Sequence, residues 1–152
     1  MWVPPEEKDP VVLHAPTRKS IAYFGAVRPA DGKLVSMRSD VFNARTFGSF
    51  LKKLYKNKGR KKAIVVVDNA RWHHAAILRG WLKEHSSSIQ LMFLPPYSPE
   101  LNPIERVWKL LRRLCVHNQH FEELTELVNV VSKQLLRWKK PNEALHRLCA
   151  II

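Results

Sequence analysis

Cysteine is almost absent from this chain, acids are scarce, and no long hydrophobic run occurs. Cys115 and Cys149 are the only two thiols, far apart and without metal-ligand spacing. That excludes a disulfide-stapled scaffold and a cysteine zinc site, and it points to a reducing, cytoplasmic setting in which both pack as small hydrophobes. No apolar stretch approaches the roughly 18 residues of a membrane span. The Met1-Trp-Val-Pro-Pro start lacks the pattern of a secretory signal, so no membrane association is expected. Internal repeats are missing too, which excludes solenoids and propellers.

What is present is charge of one sign. Lys plus Arg number 26 against 13 Asp plus Glu, a formal net charge of +13 over 152 residues. Such an excess predicts a polyanionic partner bound in a salt-sensitive way. With 45% hydrophobic residues the chain has enough apolar material for one domain with a real core, which excludes a disordered basic tail but not a structural nucleic-acid binder.

Along the chain, residues 1–19 carry four prolines and read as an extended lead-in with at most a short strand at Val11 to His14. Ser20–Val27 and Leu34–Phe42 flank Pro29-Ala-Asp-Gly32 and read as a β-hairpin. From the N-cap Asn43, the apolar positions Phe47, Phe50, Leu51, Leu54 and Tyr55 recur at helical spacing until Asn57-Lys58-Gly59. Lys52, Lys53, Lys56, Lys58, Arg60, Lys61 and Lys62 crowd the end of that helix, and they read equally as a solvated surface or as a phosphate-contacting one. A buried strand Ala63-Ile-Val-Val-Val67 follows and ends in Asp68, at the sheet edge where ligands of α/β proteins gather. A helix with Ile77, Leu78, Trp81 and Leu82 on its apolar side and a strand through Gln90–Leu94 come next. Pro95, Pro96 and Pro99 then enforce an extended connection. Asn102-Pro103 reads as an N-cap followed by a first-turn proline.

The helix so announced has a stripe of Ile104, Val107, Trp108, Leu111, Leu114 and Cys115. Glu105, Lys109, Arg112 and Arg113 share its flank. A last helix is expected from about Phe121 to Trp138, with Glu122 and Glu123 in its first turn and Lys139 and Lys140 at its end.

Asp68 and Glu105 carry the chemistry. Two carboxylates held close on a basic background repel unless a divalent cation lies between them, and hard oxygen donors suit Mg²⁺ or Mn²⁺. A pair of such ions serves in-line displacement at a phosphodiester. Each acid also has an innocent role: Asn102-Pro-Ile-Glu105 matches a capping box in spirit, and Asp68 has the option of capping the following turn. Seven histidines, among them His73, His74, His117 and His120, match no standard zinc spacing. His73 lies close enough in sequence to Asp68 to serve the same sheet edge as a base or phosphate donor.

Val67-Asp-Asn-Ala-Arg-Trp-His73 together with Leu94-Pro-Pro-Tyr-Ser-Pro-Glu-Leu-Asn-Pro-Ile-Glu-Arg-Val-Trp108 closely resembles the catalytic core of mariner-like bacterial insertion-sequence transposases, the DDE superfamily endonucleases. The resemblance runs from about Trp2 to Arg113. It implies an RNase H-like α/β fold, a mixed sheet flanked by helices, over residues 1–116, with 117–152 as a helical extension packed on it. It makes Asp68 and Glu105 the second and third acids of a catalytic, Mg²⁺-binding triad. Arg71, His73, Lys109, Arg112 and Arg113 become expected DNA contacts, with Asn69, Asn102 and Trp108 in support. The implied reaction is phosphodiester hydrolysis at a transposon end and strand transfer into target DNA.

One departure stands out. The family's first acid lies on a central first strand upstream of Trp2, and Asp9, Asp31 and Asp40 do not fit that role. The chain therefore reads as a downstream piece, inactive by itself and prone to dimerise or to borrow a strand. Two alternatives remain beside it: a basic DNA-binding remnant without catalysis, and a repair or processing nuclease on the same sheet.

Overall fold

The computed structural model describes residues 11–14 and 20–150. Most of the proline-rich lead-in, with Trp2 and Asp9, lies outside them. The chain divides into two compact units, residues 1–40 with 103–152 and residues 41–102.

The first unit is built on an antiparallel sheet of β1 (Val11–His14), β2 (Ser20–Arg28) and β3 (Lys33–Arg38), in that order. Val11 stands opposite Tyr23, and Phe24 opposite Met37. The hairpin forms where the turn residues announce it, but β3 ends at Arg38, so Asp40 lies beyond the strand. Against this sheet pack α3 (Ile104–Cys115), α4 (Leu124–Trp138) and α5 (Glu143–Leu148). The shared core joins Ile21, Tyr23 and Leu34 to Trp108, Leu111, Leu127, Val131 and Leu145. Fully burying one such aliphatic side chain contributes about 1.5–3 kcal/mol, so the long helices are held by this face more than by their own propensity.

Two glycines are dictated by close approach. A Cβ on Gly25 of β2 would fall 2.3 Å from Trp108 Cη2, so the indole lies directly on the strand backbone. Gly32, at φ +77, meets the backbone of Asn142 and His146, and a side chain there would be both strained and blocked. The C-terminal segment in fact ties off the hairpin turn. Asn142 N–H donates to Asp31 O (2.9 Å), Asn142 Nδ2 to Gly32 O (2.8 Å), and His146 Nδ1 lies 2.9 Å from Pro29 O.

Two expectations about these helices are corrected, and one helix is added. Leu114, placed in the buried stripe, is 50% exposed, because α3 turns only a narrow face to the sheet. The fourth helix begins at Leu124 with Glu123 as its cap, which leaves Phe121 buried ahead of it and Glu122 outside its first turn. Helix α5 was not foreseen. Its signal was Pro141-Asn142, an N-cap whose side chain accepts from Leu145 N–H at 2.9 Å.

The second unit is a parallel βαβ arrangement carried by α1 (Ala44–Asn57). Asn43 and Thr46 form a reciprocal capping box at its start, with bonds of 2.9 and 3.0 Å. β4 (Ala63–Val67) and β5 (Ile89–Phe93) pair in parallel, and α2 (Ala76–Glu84) makes the crossover that parallel strands require. Phe47, Phe50, Leu51 and Leu54 of α1 are buried, as are Val67, Leu78 and Ile89. Ile77, expected on the apolar side of α2, is 67% exposed. At the end of α1 the cationic run has one internal duty: Lys58 Nζ donates to Gly59 O and Lys61 O and sits 5.6 Å over the Tyr55 ring, closing the turn in which Gly59 takes φ +78.

Candidate active site

Asp68 is placed by the strand that precedes it. The β4–β5 ladder runs one step past its end, where Leu94 N–H donates to Val67 O at 2.8 Å, so the chain leaves the sheet with Asp68 at the carboxyl end of β4. The carboxylate is 33% exposed. Its Oδ1 accepts from Ala70 N–H at 3.0 Å, the turn-capping role foreseen for an aspartate in this position.

The next residues fold into a short 3₁₀ turn, Arg71–His74. It drives His73 inward until it is only 5% exposed. Its Nδ1 lies 2.9 Å from both Asp68 O and Asp68 Oδ1. Both partners are acceptors, so Nδ1 carries the proton and donates to them. The ring is wedged between Trp72 and Phe47, with centroids at 4.0 and 4.5 Å. His73 thus grips Asp68 from beneath, while Arg71 at the head of the turn is exposed.

Asn69 closes the site on its other side. Its Nδ2 donates to Leu94 O at 2.7 Å, fastening the loop after β4 to the chain leaving β5. Its Oδ1 accepts from His74 Nε2 at 3.3 Å, and the His74 ring stacks on Phe93, 4.1 Å away and 12° from parallel. That stack was not read from the sequence, although two adjacent histidines at a strand exit were a visible signal.

Glu105 belongs to the other unit, in the first turn of α3, where a carboxylate is favoured by the helix dipole. The approach to that helix is constrained: Tyr97 adopts φ 59, and Pro99–Leu101 forms a second 3₁₀ turn. Asn102 is extended at φ −93 and ψ 111, and the helix starts a residue later than expected, with Pro103 rather than Asn102 at the cap position. No side-chain cap bond forms there and Glu105 is the second helical residue, which corrects the capping-box expectation. Asn102 is buried, Glu105 half-buried, Lys109 and Arg113 exposed and Arg112 half-buried. Trp108 is wholly buried beneath this flank and anchors the helix on Gly25.

Each of these two carboxylates, Asp68 and Glu105, is partly exposed and, taken by itself, is of the oxygen-donor kind that suits a hard cation. Among the described residues no group of three His, Cys, Asp or Glu side chains is gathered to hold a metal. Asp31 is unavailable: Arg28 Nε donates to it at 2.9 Å, and this guanidinium holds its carboxyl down at about 2.

An antiparallel three-stranded sheet followed by a parallel βαβ unit and then by α3 is the element order of an RNase H-like fold. The family model for the DDE superfamily endonuclease matches residues 1–128, and the chain belongs to that family. An uncharacterized protein y4pE/y4sA of Sinorhizobium fredii (strain NBRC 101917 / NGR234) is 32% identical over 106 residues, which cover 69% of this chain and 75% of that relative. The insertion element IS630 uncharacterized 39 kDa protein of Shigella sonnei is 30% identical over 108 residues, 70% of this chain, and the match spans only 31% of its length. The catalytic domain of Mos1 mariner transposase has the same fold, with a TM-score of 0.70 at 16% identity over 93% of this chain and 73% of its own. Other solved forms of Mos1 carry Mg or Mn, or hold a left transposon end in a paired-end complex. No helix among the described residues is long and apolar enough to cross a membrane.

Proposed function

We propose that this chain is the catalytic part of a DNA transposase, cutting and joining DNA strands with Asp68 and Glu105 as ligands of Mg²⁺ or Mn²⁺. The observation that carries the reading is the grip on Asp68: a carboxylate at a strand end, fixed by Ala70 N–H and by a buried histidine that donates to it. A side chain held in one rotamer by an outer layer of hydrogen bonds is what metal ligation requires. The divalent ions would supply a polarised phosphate and a deprotonated nucleophile. The chain's own part is positioning and charge: His73 orients Asp68 rather than touching DNA, and Arg71, Lys109, Arg112 and Arg113 meet phosphates of transposon ends and target. Residues 1–116 form the catalytic domain in this reading, and 117–152 a helical extension on it.

The reading also holds that the catalytic set is incomplete among the described residues. Asp31 is committed to Arg28 and Asp40 lies outside β3, so neither serves as the family's first acid. β4 has β5 as its sole ladder partner among the described residues, and its Ile64 is 60% exposed. An extended strand bearing the remaining acid, from polypeptide outside these 152 residues or from a second copy, fits that edge. Calorimetric titration with Mn²⁺ tests the core of this: wild type should bind the ion and Asp68→Asn should lose it, whereas equal heats from both would refute the metal site.

The rival is a basic binding module without catalysis, favoured by the lack of a three-ligand cluster among the described residues. Plasmid nicking separates the two. Cleavage by the chain alone with Mg²⁺ would overturn the claim of incompleteness. Cleavage restored only by adding the upstream strand as a peptide would support the transposase reading over its rival.

A further inference from the structure

An open groove of about 610 Å³ runs between α2 and β5 in the second unit; His73 lies in its wall, and Asp68 does not. Lys62 and Ser86 line one end and His74 and Phe93 the other, with Leu78 as floor and Arg79 beside it. Strand register fixes its direction. Ala63, next to Lys62, stands opposite Ile89, and Val67 opposite Phe93, so the groove follows all five residues of β5. Four steps of about 3.3 Å make this roughly 13 Å. That is the rise of about three to five nucleotides of a stacked strand.

The two ends differ in chemistry. Lys62 closes a run of cations that begins at Lys52, all exposed except the half-buried Lys58, and no acid interrupts that stretch. Arg79 is exposed on α2, and no carboxylate lines the groove among the described residues. At the far end Phe93 is 38% exposed although it is a strand residue, and His74 lies flat against it. An open aromatic stack at the end of a cationic track suits an unpaired base. Bases of a duplex already stack on one another and offer no free face.

We propose that this groove holds a single unpaired nucleic-acid strand, with phosphates on Lys62 and Arg79 and a base stacked on the His74–Phe93 pair. The occupant rests on the reading of the chain as DNA-acting. The groove delivers that strand to the loop after β4, because His74 is bonded to Asn69 and Asn69 adjoins Asp68. It is a binding surface separate from the metal ligands and works without metal.

Fluorescence anisotropy with the full chain in EDTA tests it, using a short labelled single-stranded oligonucleotide and the matching duplex. Phe93→Ala should weaken single-strand binding by about 5- to 100-fold and leave the duplex unchanged, and Phe93→Trp should restore it. Lys62→Ala and Arg79→Ala should each lower the single-strand salt slope by about 0.7. Unchanged single-strand affinity in these variants, or equal loss on the duplex, overturns the proposal. If circular dichroism shows Phe93→Ala unfolded, Arg79→Glu at its exposed helical position decides alone, and wild-type affinity there overturns it. Wild type binding neither oligonucleotide would instead bring down the DNA reading on which the groove depends.

Discussion

The buried imidazole of His73 donates through Nδ1 to the carboxylate of Asp68 at 2.9 Å and to the main-chain oxygen of the same residue at the same distance. One ring therefore fixes both the backbone and the side chain of the acid at the strand end. It is itself held by Phe47 of α1, whose ring also meets Trp72 edge-on at 5.4 Å.

His73→Phe keeps the ring packing and removes the donor. Fold stability should fall by about 1–2 kcal/mol, since an acceptor is left under-satisfied. Mn²⁺ affinity should fall about 10- to 100-fold, as for other lost supports of metal ligands. Urea denaturation read beside calorimetry separates the two effects. Unchanged metal affinity would mean that His73 only packs.

Asn69→Ala removes the tie between the two strand exits. The expected cost is about 1 kcal/mol, the net worth of one hydrogen bond. Amide exchange should accelerate at Leu94, whose N–H closes the last rung of the ladder. Slow exchange at Leu94 in the variant would show that the ladder needs no such fastening.

Gly32→Ala should be far more damaging than its small size suggests. The residue has φ +77, and a Cβ would fall 2.3 Å from Asn142 O. Left-handed strain alone costs about 1–2 kcal/mol, and the blocked approach should undock α5 as well. A melt with two transitions, or loss of the Asn142–Asp31 bond by NMR, is the expected signature. A substitution costing nothing would contradict the docking.

Acid should weaken the hairpin turn over a defined range. Asp31 has its carboxyl lowered to about 2 by Arg28, so its folded pKa lies below the unfolded one. The stability it contributes is fully present above about pH 4 and is lost as pH falls through about 2. Arg28 is 47% exposed, and screening limits the contribution to less than about 1 kcal/mol. Asp31→Asn should flatten the acid limb of the stability curve by that amount. An unaltered limb would show that the pair adds nothing.

Much of the fold was legible because its causes are local. The hairpin was announced by Pro29-Ala-Asp-Gly32, α1 by the Asn43 cap and its apolar spacing, and β4 by a β-branched run ending in an acid. The two misplaced side chains share one physical origin. Periodicity says which residues share a face, but only packing says how wide the covered face is, and so Leu114 and Ile77 were placed inside and lie outside. Helix α5 was missed because a six-residue helix has little periodicity, and its reason for existing is a turn more than a hundred positions earlier.

The sequence by itself determined the order of the strands and of the four longer helices, the excess of positive charge and the two acids with their flanking residues, since these depend on residue type and near-neighbour spacing. Only the tertiary structure decided that His73 turns inward to hold Asp68, that Asn69 bridges two strand exits and that His74 lies on Phe93. The last two are contacts between segments that chain order leaves free, and His73 turns inward because its ring packs on Phe47 of another element. They form because burying Phe47, Leu78 and Ile89 together stabilises one arrangement of the segments that carry them.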